Sequence, residues 1–99
     1  MRFTLVATLL NDEGGFNTEV VAQSNEQFDL IEWVLLNSLD YDSENVYAIY
    51  NTERKVLVCT LTRGRTPNHI IATWTKHDEP TKYYVYTNKD NSVAYQTAR

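Results

Sequence analysis

Apolar positions recur along this chain with two different periods, and the change of period marks its elements. Residues 2–10 are rich in Phe, Thr, Leu and Val and run into Asn11-Asp12-Glu13-Gly14-Gly15. Asn, Asp and Gly tolerate the positive φ of hairpin loops, so this stretch predicts a turn. Residues 16–23 follow with Phe16, Thr18, Val20 and Ala22 on one parity and a more polar set on the other. Together they predict a β-hairpin, with residues 2–10 a strand rather than a leader peptide.

The period then becomes helical. Phe28, Ile31, Val34, Leu35 and Leu39 fall three and four apart, and Leu30, Trp33 and Leu36 widen the stripe. Ser24 with Gln27 three residues on has the pattern of a capping box, and Glu26 and Asp29 lie where a helix dipole favours negative charge. Beyond the acidic connection 39–44, alternation returns in residues 45–51, 55–63, 69–77 and 82–87, separated by short loops of Gly, Pro, Asn and Asp. That spacing predicts a four-stranded antiparallel meander. The polar tail 88–99 reads as frayed.

The expected architecture is therefore α+β in the order ββαββββ, with one amphipathic helix packed on the sheet. Its core is expected to comprise Phe3, Leu5, Val20, Phe28, Ile31, Leu35, Leu57, Cys59, Leu61, Ile70, Ala72 and Trp74. Ninety-nine residues support one small domain with little volume to spare for a deep cleft.

Charge changes the picture because it is sorted. Residues 1–53 carry ten carboxylates against Arg2, a net of −9, whereas residues 54–99 carry eight cations against three acids, a net of +5; the two halves give the chain's −4. Such asymmetry points to charged partners, because a field of one sign steers association. Glu26, Asp29 and Glu32 belong to the water-facing side of the helix, and Asp40, Asp42 and Glu44 follow it. Tyr41 and Tyr47 stand beside them as apolar anchors. The leading expectation is a small non-catalytic cytoplasmic binding protein, an inhibitor whose acidic side docks on a basic protein surface such as that of a nucleic-acid-processing host enzyme. In charge pattern and architecture the chain is similar in kind to small phage or mobile-element proteins that inhibit host enzymes, some by imitating nucleic acid.

Two alternatives come from the second half of the chain. Tyr84 and Tyr86 with Arg63, Arg65, Lys76 and Lys82 could stack bases and neutralise phosphates, although a pI near 5.0 argues against a nucleic-acid-binding domain. The Tyr-rich last strand could instead pair edge to edge in a homodimer.

Little else suggests chemistry. Cys59 is the one cysteine and precludes an internal disulfide, which suits a reducing compartment. It lies mid-strand on the apolar parity, where a thiol behaves as a small hydrophobe rather than a nucleophile for His69 or His77. His77-Asp78-Glu79 reads as a solvated turn, because three consecutive residues cannot all face one ion. No phosphate-binding glycine loop or nucleophile elbow occurs, so no cofactor, metal or membrane partner is expected.

Overall fold

The structure, a computed structural model, describes residues 1–10, 12–37, 46–64, 69–75 and 81–98. Its elements are β1 (Phe3–Leu10), β2 (Phe16–Ser24), α1 (Gln27–Asn37), β3 (Val46–Asn51), β4 (Leu57–Arg63), β5 (His69–Trp74), β6 (Thr81–Thr87) and β7 (Val93–Thr97). All strands join one antiparallel sheet in the order β2-β1-β3-β4-β5-β6-β7. The α+β class is as expected, but the sheet has seven strands rather than a hairpin beside a meander of four. β1 is the joint: it pairs with β2 along one edge and with β3 along the other. Because both pairings are antiparallel, β2 and β3, which flank β1, run the same way, and parallel strands of one sheet need a crossover. The helix α1 is that crossover.

The seventh strand corrects the reading of a frayed tail. The turn between β6 and β7 is closed by its own polar residues. Asn88 N donates to Ser92 O at 2.8 Å and Asn91 N to Asn88 O at 3.0 Å. Asn91 takes a positive φ of 67°, a conformation that asparagine tolerates. The Asp90 carboxylate accepts from both the backbone N and the hydroxyl of Ser92, which lowers the pKa of Asp90 below its usual value. Val93 then packs against the core.

The core lies between α1 and one face of the sheet. Leu30, Ile31, Val34 and Leu35 of the helix meet Leu5, Ala7, Tyr47, Ile49, Cys59, Leu61, Ile70, Ala72 and Val85 of the strands. Each fully buried aliphatic side chain contributes about 1.5–3 kcal/mol. The helix start departs from the expected box. The Ser24 hydroxyl accepts from Glu26 N at 3.1 Å but donates to the Asp29 carboxylate at 3.0 Å. Gln27 turns instead toward Trp74, whose indole Nε1 donates to its Oε1 at 2.9 Å.

Two β-bulges decide which side chains reach this core. Leu5 faces Ala22 but Val6 faces Val20, so Val21 is the extra residue in β2. Ile49 faces Cys59 but Tyr50 faces Leu57, so Val58 is the extra residue in β4. A bulge inverts the alternation beyond it. Val21 and Val58 consequently pack against the core, while Val20, expected there, is 60 % exposed on the opposite face. Leu57 likewise lies across from Tyr50 on that face. Phe28, also expected in the core, is 48 % exposed at the helix margin. β5 has no bulge, and its parity holds: Ile70 and Ala72 are buried and Trp74 packs against them.

Gly64 is fixed by a close approach. A Cβ there would lie 2.7 Å from the carbonyl oxygen of His69, across the bond from Gly64 N to that oxygen.

The register makes a contrast that denaturant unfolding can check. Leu35→Asp buries an unpaired charge and is expected to cost about 3–5 kcal/mol. Val20→Asp, on the uncovered face, is expected to stay within about 1 kcal/mol of the parent. Equal losses would place Val20 in the core and remove the bulge.

Candidate functional site

One end of the helix meets the last three strands in an aromatic cleft. Trp74 stands at the end of β5, Tyr83 is on the same face of β6 opposite Ala72, and Tyr95 of β7 lies opposite Val85. Phe28 reaches them from the first turn of α1. The rings meet at steep angles: Phe28 and Tyr95 at 5.5 Å and 86°, Trp74 and Tyr83 at 5.4 Å and 88°, Phe28 and Trp74 at 6.1 Å and 50°. Edge-to-face pairs of this kind contribute about 0.5–1.5 kcal/mol beyond their buried area. The rings, with Gln27 and Thr81, enclose a cleft of about 510 Å³.

Of the acids expected on the helix side, Glu26 precedes α1, Asp29 lies in its first turn with its carboxylate accepting from Ser24, and Glu32 follows one turn on beside Tyr95. Glu26 and Asp29 are exposed, and Glu32 is half-buried. Burial first, and the Glu32 carboxylate second, push the Tyr95 hydroxyl up to about 12. Among the described residues no lysine or arginine forms an ion pair with these three carboxylates. Asp40, Tyr41, Asp42 and Glu44 lie outside the described residues. Tyr47 corrects its expected role as an anchor: it is 9 % exposed, in the core between Ala7 and Leu61.

The residues set aside for nucleic acid are divided. Lys82, Tyr84 and Tyr86 share the sheet face away from the helix, where His69 stacks on Tyr86 at 5.0 Å and 19°. Arg63 is in register with Leu61 and Ile70 and so belongs to the helix side; Arg65 and Lys76 lie outside the described residues. The tyrosine-rich strand is not an edge either, because β7 covers β6. The sheet edges are β2 and β7.

Cys59 faces the helix, fully buried, whereas His69 faces the other side of the sheet, so they form no pair. Burial drives the Cys59 thiol from 9.0 to about 12. Among the described residues no three His, Cys, Asp or Glu side chains converge as metal ligands, and no helix is long and apolar enough to cross a membrane. His77, Asp78 and Glu79 lie outside the described residues.

Most of the cleft was not apparent in the sequence. From the sequence Trp74 is expected in the core and Tyr83 in the tyrosine-rich strand, but Tyr95 belongs to a tail that reads as frayed. The available signal was Asn88-Lys89-Asp90-Asn91-Ser92 followed by Val-Ala-Tyr, a turn leading into a short alternating strand. Comparisons with protein-family models, with curated proteins and with solved structures return no match for this chain.

The two raised acids set an alkaline limit. Cys59 and Tyr95 hold their protons more tightly when folded than when unfolded. The stability they lend is whole below about pH 9 and is lost as the pH rises toward 12. Thermal midpoints are expected to fall across that window. Cys59→Ala should start lower but fall less steeply; a parallel fall would dissociate the thiol from the effect. In the native protein at pH 8, Cys59 is expected to resist thiol reagents until the chain is unfolded.

Proposed function

We propose that this chain is a small non-catalytic binding protein of the cytoplasm, an inhibitor of the phage or mobile-element type. Its helix side docks on a basic surface of a protein that ordinarily grips nucleic acid. The observation that carries the reading is the helix side itself. Glu26, Asp29 and Glu32 run along the start of the helix with no cation paired to them among the described residues, and Glu32 stands beside Tyr95 of an open aromatic cleft. Lys82 adjoins the cleft in sequence, but its register turns it to the opposite face. Like charges held together repel, which is a cost to folding that a complementary partner relieves. Such a field accelerates encounter and rejects wrong partners, while apolar groups beside it supply residence time.

A second reading has its own observation. Lys82, Tyr84 and the His69–Tyr86 stack line up on a sheet face that carries no covering helix, an arrangement on which unpaired bases could stack. Binding to a short single-stranded oligonucleotide that weakens steeply with salt, and is lost in Tyr84→Ala, would favour it. No signal at 150 mM salt would exclude it.

The leading reading is tested with the partner recovered from the native cell by the tagged protein. Glu26→Lys, Asp29→Lys and Glu32→Lys together should leave helix and sheet signals in circular dichroism intact. Association should slow by roughly tenfold or more at low salt, with the difference shrinking as salt is added. Unchanged rate and affinity would make the acidic side a solubility device only.

A further inference from the structure

We propose that the cleft formed by Phe28, Trp74, Tyr83 and Tyr95 is a receptor for one cationic side chain, an arginine guanidinium or lysine ammonium, presented by a protein partner. The proposal rests on the reading of the helix side as a protein-docking surface, and it assigns the anchor that Tyr47 cannot provide.

The argument begins with the rings. Their faces carry negative quadrupole charge, and a cation within about 6 Å of a ring centroid is attracted to it. Here two ring pairs stand at 86° and 88°, so the aromatics form walls at right angles rather than a flat stack. A flat stack suits a planar apolar guest, whereas walls at right angles can present ring faces to a compact charge from more than one side. The volume, about 510 Å³, falls within the range of ligand-binding clefts.

Charge selects the occupant. Among the described residues no lysine or arginine lines the cleft. Among the described strand residues Arg63 is the cation on the same sheet face, and it is four residues along β4 from Cys59, the register partner of Trp74, or roughly 13 Å away. The Glu32 carboxylate is close enough to Tyr95 to raise its pKa, and Asp29 lies next in sequence to Phe28. A nucleotide could place its base among the rings, but its phosphate would then meet the field of Glu32 beside Tyr95. A cationic side chain meets attraction from both the rings and the acids. The N-terminal dipole of α1 opposes a cation, and Glu26 and Asp29 stand at that terminus to offset it.

The site is also held in place before any guest arrives. The Trp74 indole donates to Gln27 Oε1 at 2.9 Å, tying sheet to helix at the base of the cleft. Phe28 and Tyr95 brace each other edge to face. Rings already ordered lose little freedom on binding.

The test is a nuclear magnetic resonance titration of the isotope-labelled full chain with N-acetyl-arginine amide and tetramethylammonium. The controls are Nα,Nε-diacetyl-lysine amide, which is neutral, and adenosine monophosphate, which is an anion. Both cations should shift the Trp74 indole N–H and the Tyr83 and Tyr95 ring signals in the millimolar range. The two controls should bind about tenfold more weakly or not at all. Tyr95→Leu, on the edge strand, should weaken the cations by roughly fivefold, and Glu32→Gln by a smaller factor. Equal binding by neutral diacetyl-lysine or by the nucleotide overturns the proposal, as do shifts confined to residues outside the cleft. The wild-type titration gives this answer even if a variant fails to fold. Two further outcomes separate the proposal from the docking reading. If arginine leaves Trp74 unmoved while charge reversal slows the partner, the cleft proposal falls and the docking reading stands. If arginine occupies the cleft while charge reversal leaves the partner's binding unchanged, the docking reading falls and the receptor remains.

Discussion

One short helix has to cover a sheet much wider than itself. Eleven residues make a helix about 16 Å long, whereas seven strands about 4.8 Å apart spread over roughly 29 Å. The helix can seal only the middle of one face, and the fully buried side chains gather there, under Leu30, Ile31, Val34 and Leu35. Toward β2 the same face runs out of cover, and Glu19, in register with buried Ala7, is exposed. Toward β7 the helix stops short and leaves a gap, which the aromatics of β5, β6 and β7 line without filling. The cleft is therefore a consequence of the mismatch in width, and the large rings set there are what keep it from collapsing.

The opposite face has no covering helix, and the chain manages it with composition rather than a layer. Thr4, Thr8, Thr18, Thr60, Thr62 and Thr73 occupy its register positions with a minority of aliphatic and aromatic residues. Threonine keeps the backbone in strand geometry through its branched Cβ while offering water a hydroxyl. Thr4 also shares a hydroxyl–hydroxyl bond of 2.8 Å with Thr52 and accepts from Gln23, so part of the polar surface is satisfied internally.

What the sequence made legible follows from the local nature of its signals. The helix could be read because its stripe is long and its first turn is acidic. β5 could be read because its alternation of Ile70, Ala72 and Trp74 is unbroken. The two bulges could not, since Val21 and Val58 are β-branched and look like ordinary strand residues; only the pairing partner reveals the extra residue. One insertion in each strand moved Val20 and Leu57, respectively, to the other face. The union of hairpin and meander through β1 was equally hidden, because the pairing of Phe3 with Asn51 spans nearly half the chain. The acids of the site were legible as charge, but the cleft was not, because Phe28, Trp74 and Tyr95 are scattered and meet only once β7 is recognised as a strand.

The separation of charge from apolar grip has a kinetic consequence. In the proposed complex, carboxylates at the helix rim would act over about a Debye length and so govern how often a basic partner arrives in the right orientation. They are wet, and exposed pairs contribute little to holding a complex together. The rings of the aromatic cleft are ordered in advance by strand register and by the Trp74–Gln27 bond, so in the same proposal the cleft would act at contact and govern how long the partner stays. Neither feature substitutes for the other. An acidic helix without the cleft would meet many basic surfaces and keep none, and the cleft without the acids would seldom be found. In the proposed reading it is the nearness of Glu32 to the cleft, left open by a helix too short for its sheet, that would combine two weak features into one selective surface.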